Sequence, residues 1–319
     1  MNQVYTHPTQ RQIQAEVILA SSHPEMDKPL VTMRLRYPRI IHGEIMTHRC
    51  FSRNARSSRA VPVKTMLNEV RETPFVPWHW GKNQKGMQAD EECNEPIYLD
   101  APSNRDEYGG GTPRTASREE MWLYASQDAA EVAERYMEAG YHKQLANRLL
   151  EPFSWIDTLI TANQWDNFLW LRDHKDAEPH LQDLARLVKQ ALDNMEVQDL
   201  QPGQWHQPYI TENDRDAAAM SAVADNLGRT AWLNRISAAR CARISYKPFD
   251  GDASYERELE RYDLLVGSDR VHASPTEHQA TPDTRFNGSW SKPELHGNLT
   301  GWIQHRKAIP NECYTGTNG

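Results

Sequence analysis

Between Thr47 and Arg59 the chain places four arginines, a histidine, three serines and an asparagine in one short run: Thr47-His48-Arg49-Cys50-Phe51-Ser52-Arg53-Asn54-Ala55-Arg56-Ser57-Ser58-Arg59. From Arg34 to Lys64 there are eight basic residues and one acid, Glu44, in a protein whose net charge is −8. A local cationic site on an acidic protein is not a solubility device. Arginine's planar fork pairs phosphate oxygens two at a time, so the run reads as a site for an anion, a phosphate first of all. A solvated basic loop would also explain the charge. It would not need serines and an asparagine, short directional donors, set between the arginines.

The run follows a segment with strand character. Leu30 to Tyr37 alternates apolar and polar residues and stops at Pro38, the pattern of a half-buried strand. Ile40 to Thr47 carries Ile41, Ile45 and Met46 at helical spacing and delivers the arginine run, which Val61-Pro62-Val63 ends. Thr73 to Gln88 is rich in Pro, Gly and Trp and reads as an ordered wall. Asn94 to Ser117, with Gly109-Gly110-Gly111, reads as a lid or an insertion. Ser117 and Glu120 form a capping box for a helix that keeps an apolar face to Met137 and stops at Gly140. Further helices are expected over His142–Leu150, Asn163–Arg172, Leu181–Met195, Asp214–Leu227, Trp232–Arg243 and Tyr255–Val266. The last fifty residues are rich in Pro, Gly, Asn and His and read mostly as loop. No repeat of solenoid period is present.

At 319 residues the chain can bury a substantial core. Its acidic total argues against a general nucleic-acid coat. No apolar run approaches the roughly 20 residues that span a bilayer, and Met1 to Tyr5 lacks the basic and hydrophobic regions of a secretory leader. A cytoplasmic location is the expectation. Cys50, Cys93, Cys241 and Cys313 form no C-x-x-C pair, so zinc and redox signatures are missing and no metal is implied.

Three other clusters carry polar residues where an apolar pattern would not call for them. Arg148 stands in Ala146-Asn147-Arg148-Leu149-Leu150-Glu151-Pro152. Asn167 and Arg172 punctuate Asn167-Phe168-Leu169-Trp170-Leu171-Arg172, and each would need a partner if buried. Cys241-Ala242-Arg243-Ile244-Ser245-Tyr246 is followed by His272-Ala273-Ser274-Pro275-Thr276-Glu277-His278. Singly, such arginines are ordinary salt-bridge partners and such serines and histidines ordinary turn formers.

Together they resemble the flavin-dependent thymidylate synthases. That family's signature is R-H-R-x-x-S-x-N-E-x-S-x-R-Y, with a proline ten residues before the histidine. Pro38 stands ten before His48, and His48, Arg49, Ser52, Asn54, Ser57 and Arg59 fall on signature positions. Arg148 and Pro152 meet the family's R-x-x-x-P helix end, and Asn167 to Arg172 reproduces its N-F-L-x-L-R run. Ala242 to Tyr246 and His272 to His278 echo its A-R-V-S-Y and H-x-T-P-F-E-H elements. The matches anchor segments 30–65, 140–180 and 236–280. Thr47, Ala55 and Ala60 replace an arginine, a glutamate and a tyrosine of the signature, and Asp176-Ala177-Glu178 stands where His-Ala-Gln is usual. The last two elements normally precede the arginine run, so the chain looks circularly permuted, which is reasonable where termini lie close together. A weaker echo, Gln304-His305-Arg306 with Asn311-Glu312, repeats the H-R-x4-N-E spacing by coincidence or as an auxiliary pocket element.

The resemblance implies an α/β fold of the α+β type, a central sheet flanked by helices in one thymidylate-synthase-like domain over 1–319. A loop-rich insertion near 73–116 and a loop-rich tail 280–319 complete it. It implies transfer of one carbon from methylenetetrahydrofolate to C5 of dUMP, with reduced FAD supplying hydride and NADPH re-reducing the flavin. Arg172 and Ser57 are the expected catalytic residues. Glu44, Ser57, Ser58, Arg59, Arg148 and Arg172 are expected at the nucleotide, the serine–arginine group and Arg148 on its phosphate. His48, Arg49, Asn54, Asn167, Ser245, Ser274 and Glu277 are expected at FAD. The family's sites lie between subunits of a homotetramer, so different chains can contribute. Loss of the glutamate at Ala55 leaves open a dUMP hydroxymethylase or methylation of another pyrimidine nucleotide. From a different class, a non-catalytic phosphate or nucleic-acid module would show salt-sensitive affinity and no flavin.

Overall fold

A computed structural model describes residues 3–99, 114–224, 228–244, 251–267 and 270–313. The long β2 (Gln14–His23) and β3 (Met26–Pro38) form an antiparallel hairpin, with short β1 (Val4–Thr6) on the outer edge of β2. The arginine run contains a strand of its own, β4 (Ser52–Ala55). Short β5 (Ile97–Tyr98) and β6 (Thr115–Ala116) pair with each other, away from the main sheet. β7 (Trp155–Ala162) lies between β3 and β4, antiparallel to both, and β8 (Gln198–Asp199) adds to β2 in parallel. The order of the main sheet is therefore β1-β2-β3-β7-β4, with β8 on the edge of β2 beside β1.

Alternation along β3 sends its side chains to two chemically different layers. Met33, Leu35 and Tyr37 are fully buried in the main core with Ile156, Ile160 and Ala162 of β7. Against them pack Leu181, Leu184, Ala185 and Val188 of α6 (Pro179–Asp193), each buried aliphatic side chain contributing about 1.5–3 kcal/mol. On the other face stand Thr32, Arg34 and Arg36, opposite Thr161, Leu159 and Asp157 of β7. That face is covered by α8 (Arg229–Ala242), through Cys241 and Ile244 against Leu159. The half-buried strand read from alternation is thus a strand with one dry and one polar face.

The helical expectations hold most closely where caps mark them. Ser117 accepts from the Glu120 backbone in a complete capping box at the start of α3 (Arg118–Glu138), and Gly140 follows at φ +84°. α7 (Glu212–Ala224) and α9 (Tyr255–Val266) lie where helical spacing placed them. The expected helix over 142–150 is instead a single turn, α4 (Lys143–Ala146), and a 3-10 segment, Asn147–Phe153, that runs through Pro152. The Asn147 side chain donates to the carbonyls of Ser58 and Val61 (2.7 and 2.9 Å), which ties this turn to the arginine run. α5 (Asp166–Arg172) begins three residues later than expected, because Asn163 donates its side chain to Thr300 O at 2.7 Å. Ile40–Thr47 gives a 3-10 turn, Arg39–Ile41, and the short α1 (His42–Ile45). Val63–Glu72, expected only as the end of the run, is a helix, α2.

Phe75 and Trp78 pack against Trp122, Trp155 and His180, so this part of the Pro- and Trp-rich segment is an ordered wall. The described part of the tail carries β9 (Ala280–Pro282), β10 (Arg285–Phe286), β11 (Ser289–Trp290) and β12 (Trp302–Gln304). Leu299 and Trp302 are fully buried with Leu30 and Leu200. Gly301 adopts φ +86°, and a Cβ there would meet Met26 Sδ at 2.3 Å, so this turn needs glycine. Among the described residues no helix is long and apolar enough to cross a membrane.

Candidate functional site

The antiparallel pairing of β4 with β7 decides where the polar clusters go. Asp166–Arg172 follows β7 and therefore lies beside the start of β4, whereas Asn147–Phe153 precedes β7 and lies beside its end.

At the start of β4, Arg172 Nε–H donates to His48 Nε2 at 3.0 Å, its Nη2 to the Thr47 hydroxyl at 3.2 Å, and its Nη1 approaches Glu44 at 3.5 Å. His48 is buried against Phe51 and Phe168. Burial first, then the positive charges of Arg172 and Arg53, push its pKa down to about 4, which keeps the imidazole neutral and its Nε2 an acceptor. Arg53 Nη1 donates to Met46 O (2.6 Å) and His48 O (3.3 Å), so this arginine shapes the turn. Burial raises the Glu44 carboxyl, Glu178 adds to the rise, and Arg172 opposes both. Thr47, a departure from the signature, supplies an acceptor that the resemblance did not anticipate.

At the other end, Glu151 gathers three groups. Ser58 Oγ donates to it at 2.6 Å, and Arg39 and Arg148 approach it at 3.1 Å each. Lys143 Nζ adds a bond to Ala60 O at 2.9 Å. Ser58 is buried and spent on this bond; Ser57, Arg59 and Arg148 are exposed around it. The structure thus brings Ser57, Ser58, Arg59 and Arg148 together, and brings Arg172, His48 and Glu44 together. The length of β4, ~13 Å at about 3.3 Å per residue, separates the two groups.

The residues expected at FAD divide between the sheet faces. His48 lies with Phe51 and Phe168 on the α6 side. Asn54 is buried on the α8 side, where its amide donates to Cys241 O at 3.2 Å. Ser274 and Glu277 form a 3-10 turn whose Glu277 pairs with Arg306, and Gln304 links Glu277 O (3.0 Å) to Ser52 Oγ (3.3 Å). The echo at 304–312 therefore buttresses this turn, with Arg306 also bonded to Glu312 at 2.6 Å. Arg49 and Asn167 are exposed, and Ser245 lies outside the described residues. Among the described residues of this set, His48 and Asn54 lie on different sides of the sheet, and Ser274 and Glu277 lie beside Ser52. Among the described residues no group of three or more His, Cys, Asp or Glu side chains is placed to hold a metal ion.

A cleft of about 610 Å³ does join two of the sequence elements. Ala55, Ser57 and Val61 form one wall, and Ala242, Arg243 and Ile244 the other. Ala55, at the position of the missing glutamate, leaves that wall without a carboxylate of its own.

No family model matches the chain, and no curated protein matches it. Among solved structures it is similar to a UMP/dUMP methylase, PolB, from Streptomyces cacaoi bound with 5-Br UMP. The identity is 17%, over 56% of this chain and 88% of that one, with a TM-score of 0.38. For the same methylase bound with 5-Br dUMP the identity is 20%, over 51% and 66% of the two chains, with a TM-score of 0.34.

Proposed function

We propose that the chain binds dUMP and transfers a one-carbon unit to its C5, giving dTMP, as a flavin-dependent thymidylate synthase-like enzyme of the cytoplasm. Methylenetetrahydrofolate is the carbon donor and NADPH the reductant. FAD, when bound, supplies the hydride. The observation that carries this reading is the Arg172–His48–Thr47–Glu44 cluster, in which two elements far apart in sequence hold one guanidinium in place.

Each group has a task that its geometry suits. Neutral His48 and Thr47 fix the Arg172 fork, and the guanidinium then faces the pyrimidine edge, where it stabilises negative charge as C5 becomes nucleophilic. Exposed Ser57, Arg59 and Arg148 hold the phosphate. Because these groups stand at opposite ends of β4, the complete site is assembled between copies of the chain in a homotetramer. The same contact would bring His48 and Arg49 of one copy to the Asn54 side of another, which a shared flavin requires. No step is assigned to residues at the flavin.

A second reading, a dUMP hydroxymethylase or a methylase of another pyrimidine nucleotide, is favoured by one observation: Ala55 lines the cleft where the family has glutamate.

The test is an absorbance spectrum of the purified protein with FAD, before and after NADPH and dUMP, followed by the mass of the nucleotide product. Flavin bands that bleach with NADPH and a product heavier by one CH2 support thymidylate synthesis. A hydroxymethyl product supports the second reading. A protein that ignores FAD and leaves dUMP unchanged overturns both.

A further inference from the structure

Beside the arginine run, the polar face of the sheet joins Arg56 and Arg243, each from a different sequence motif, to two arginines that no motif contains. Arg34 and Arg36 of β3 point to this face at alternate positions, opposite Leu159 and Asp157 of β7. Arg56, at the end of β4, and Arg243, at the end of α8, reach the same place from two other elements. With Gln14 and Asp157 they line a recess of about 350 Å³. The recess shares Arg56, Arg243 and Ile244 with the larger cleft, so the two lobes adjoin there.

The charges are arranged asymmetrically. Arg34 pairs with Glu16 at 2.9 Å, Arg36 with Asp157 at 2.7 Å, Arg56 with Glu69 at 2.6 Å, and Arg243 with Glu258. Of those four carboxylates only Asp157 lines the recess. Among the described residues, four of the seven that line it are therefore arginines and one is a carboxylate. Held this way, the guanidiniums are preorganised, and little side-chain entropy is left to lose on binding. Four forked donors suit two adjacent phosphates better than one. The adjoining lobe, walled by Val61, Pro62, Ala242, Ile244 and Leu265, suits a ring system.

We infer that the recess of Arg34, Arg36, Arg56 and Arg243 is a diphosphate subsite, taking the diphosphate of a nucleoside diphosphate whose ring lies in the adjoining apolar lobe. This site does not depend on the reaction proposed above.

The experiment is calorimetric titration of the full chain with inorganic pyrophosphate. It uses wild type, the paired variant Arg34→Gln with Glu16→Gln, and Lys189→Ala. Removing arginine and its carboxylate together avoids stranding a charge, and thermal melting verifies folding. Arg36→Gln with Asp157→Asn is the second paired variant should the first not fold. Wild type should bind pyrophosphate. The paired variant should bind roughly tenfold or more weakly, the loss expected for charge-assisted bonds from one guanidinium, and Lys189→Ala, which removes an exposed cation of α6, should bind like wild type. Displacement of pyrophosphate by UDP but not by UMP or FAD supports a nucleoside diphosphate; displacement by FAD would make the recess part of the flavin site and overturn the assignment. A wild type that does not bind pyrophosphate, or a folded paired variant that binds it as tightly, overturns the assignment. Turnover of dUMP is read separately, so either conclusion can fail alone.

Discussion

Arg172 and His48, 124 positions apart in the chain, are joined by a hydrogen bond of 3.0 Å from Nε–H to Nε2. The bond exists only while the imidazole is neutral, and burial beside two arginines keeps it so. Its proton therefore sits on Nδ1. The pair makes a basic side chain rigid without pairing it fully to a carboxylate, which leaves its charge for a ligand.

The first prediction concerns acid. The folded His48 pKa, about 4, lies below the ordinary value of 6.5. Its contribution to stability is thus fully present above about 6.5 and lost as pH falls through 4. His206, His278 and His305 are also pushed down by burial, so the useful quantity is a difference. Melting temperature against pH should fall less steeply between 6.5 and 4 in His48→Gln than in wild type. Parallel curves would remove His48 from the acid response.

Replacing Arg172 by lysine keeps the charge and loses the planar fork. Affinity for dUMP, measured by calorimetry, should drop roughly ten- to a hundredfold, in line with about 1.5–3 kcal/mol for charge-assisted bonds. Melting temperature should stay near wild type, since Arg172 is only half-buried. Unchanged dUMP affinity would take Arg172 out of the nucleotide site.

Asn147 is fully buried, and its amide holds the carbonyls of both Ser58 and Val61. Asn147→Ala leaves two buried acceptors short of a donor, at about 1–3 kcal/mol. Urea unfolding should report that loss, with weaker dUMP binding as the Ser57–Arg59 turn loosens. A variant as stable as wild type would show that the turn is held elsewhere.

Arg240 and Asp214 form a buried pair with two bonds, at 2.7 and 2.9 Å, and Tyr255 and Thr211 also donate to the carboxylate. Arg240→Met strands the aspartate, which should cost about 3–5 kcal/mol. Adding Asp214→Asn should recover part of the loss in urea unfolding. A double variant weaker than the single one by a further increment would contradict the stranded-charge account.

Much of this molecule was legible in the sequence. The capping box at Ser117, the apolar face of the helix over Leu181–Met195 and the alternation over Leu30–Tyr37 are local patterns, and the chain honours each. Arg172 and the Ser57–Arg59 run stood out by motif as candidates for a nucleotide site. β7 was not, since Trp155-Ile156-Asp157-Thr158-Leu159-Ile160-Thr161-Ala162 is buried on both faces for most of its length and so shows no alternation. The tail was read as loop because Gly and Pro dominate it locally, whereas Trp302 is buried by contacts with strands hundreds of residues earlier.

The amino-acid sequence by itself determined which residues carry charge, where helices begin and stop, and that β3 has a polar face. Tertiary structure alone decided which of those residues meet. The antiparallel register of β4 on β7 sends Arg148 to one end of the strand and Arg172 to the other. It also separates His48 and Asn54 onto opposite faces. The recess of Arg34, Arg36, Arg56 and Arg243 draws on β2, β3 and β7 and on the residues that follow β4 and α8. A side chain's neighbours across a sheet follow from strand pairing, which is non-local, whereas periodicity and capping act over a few residues and are written in them directly.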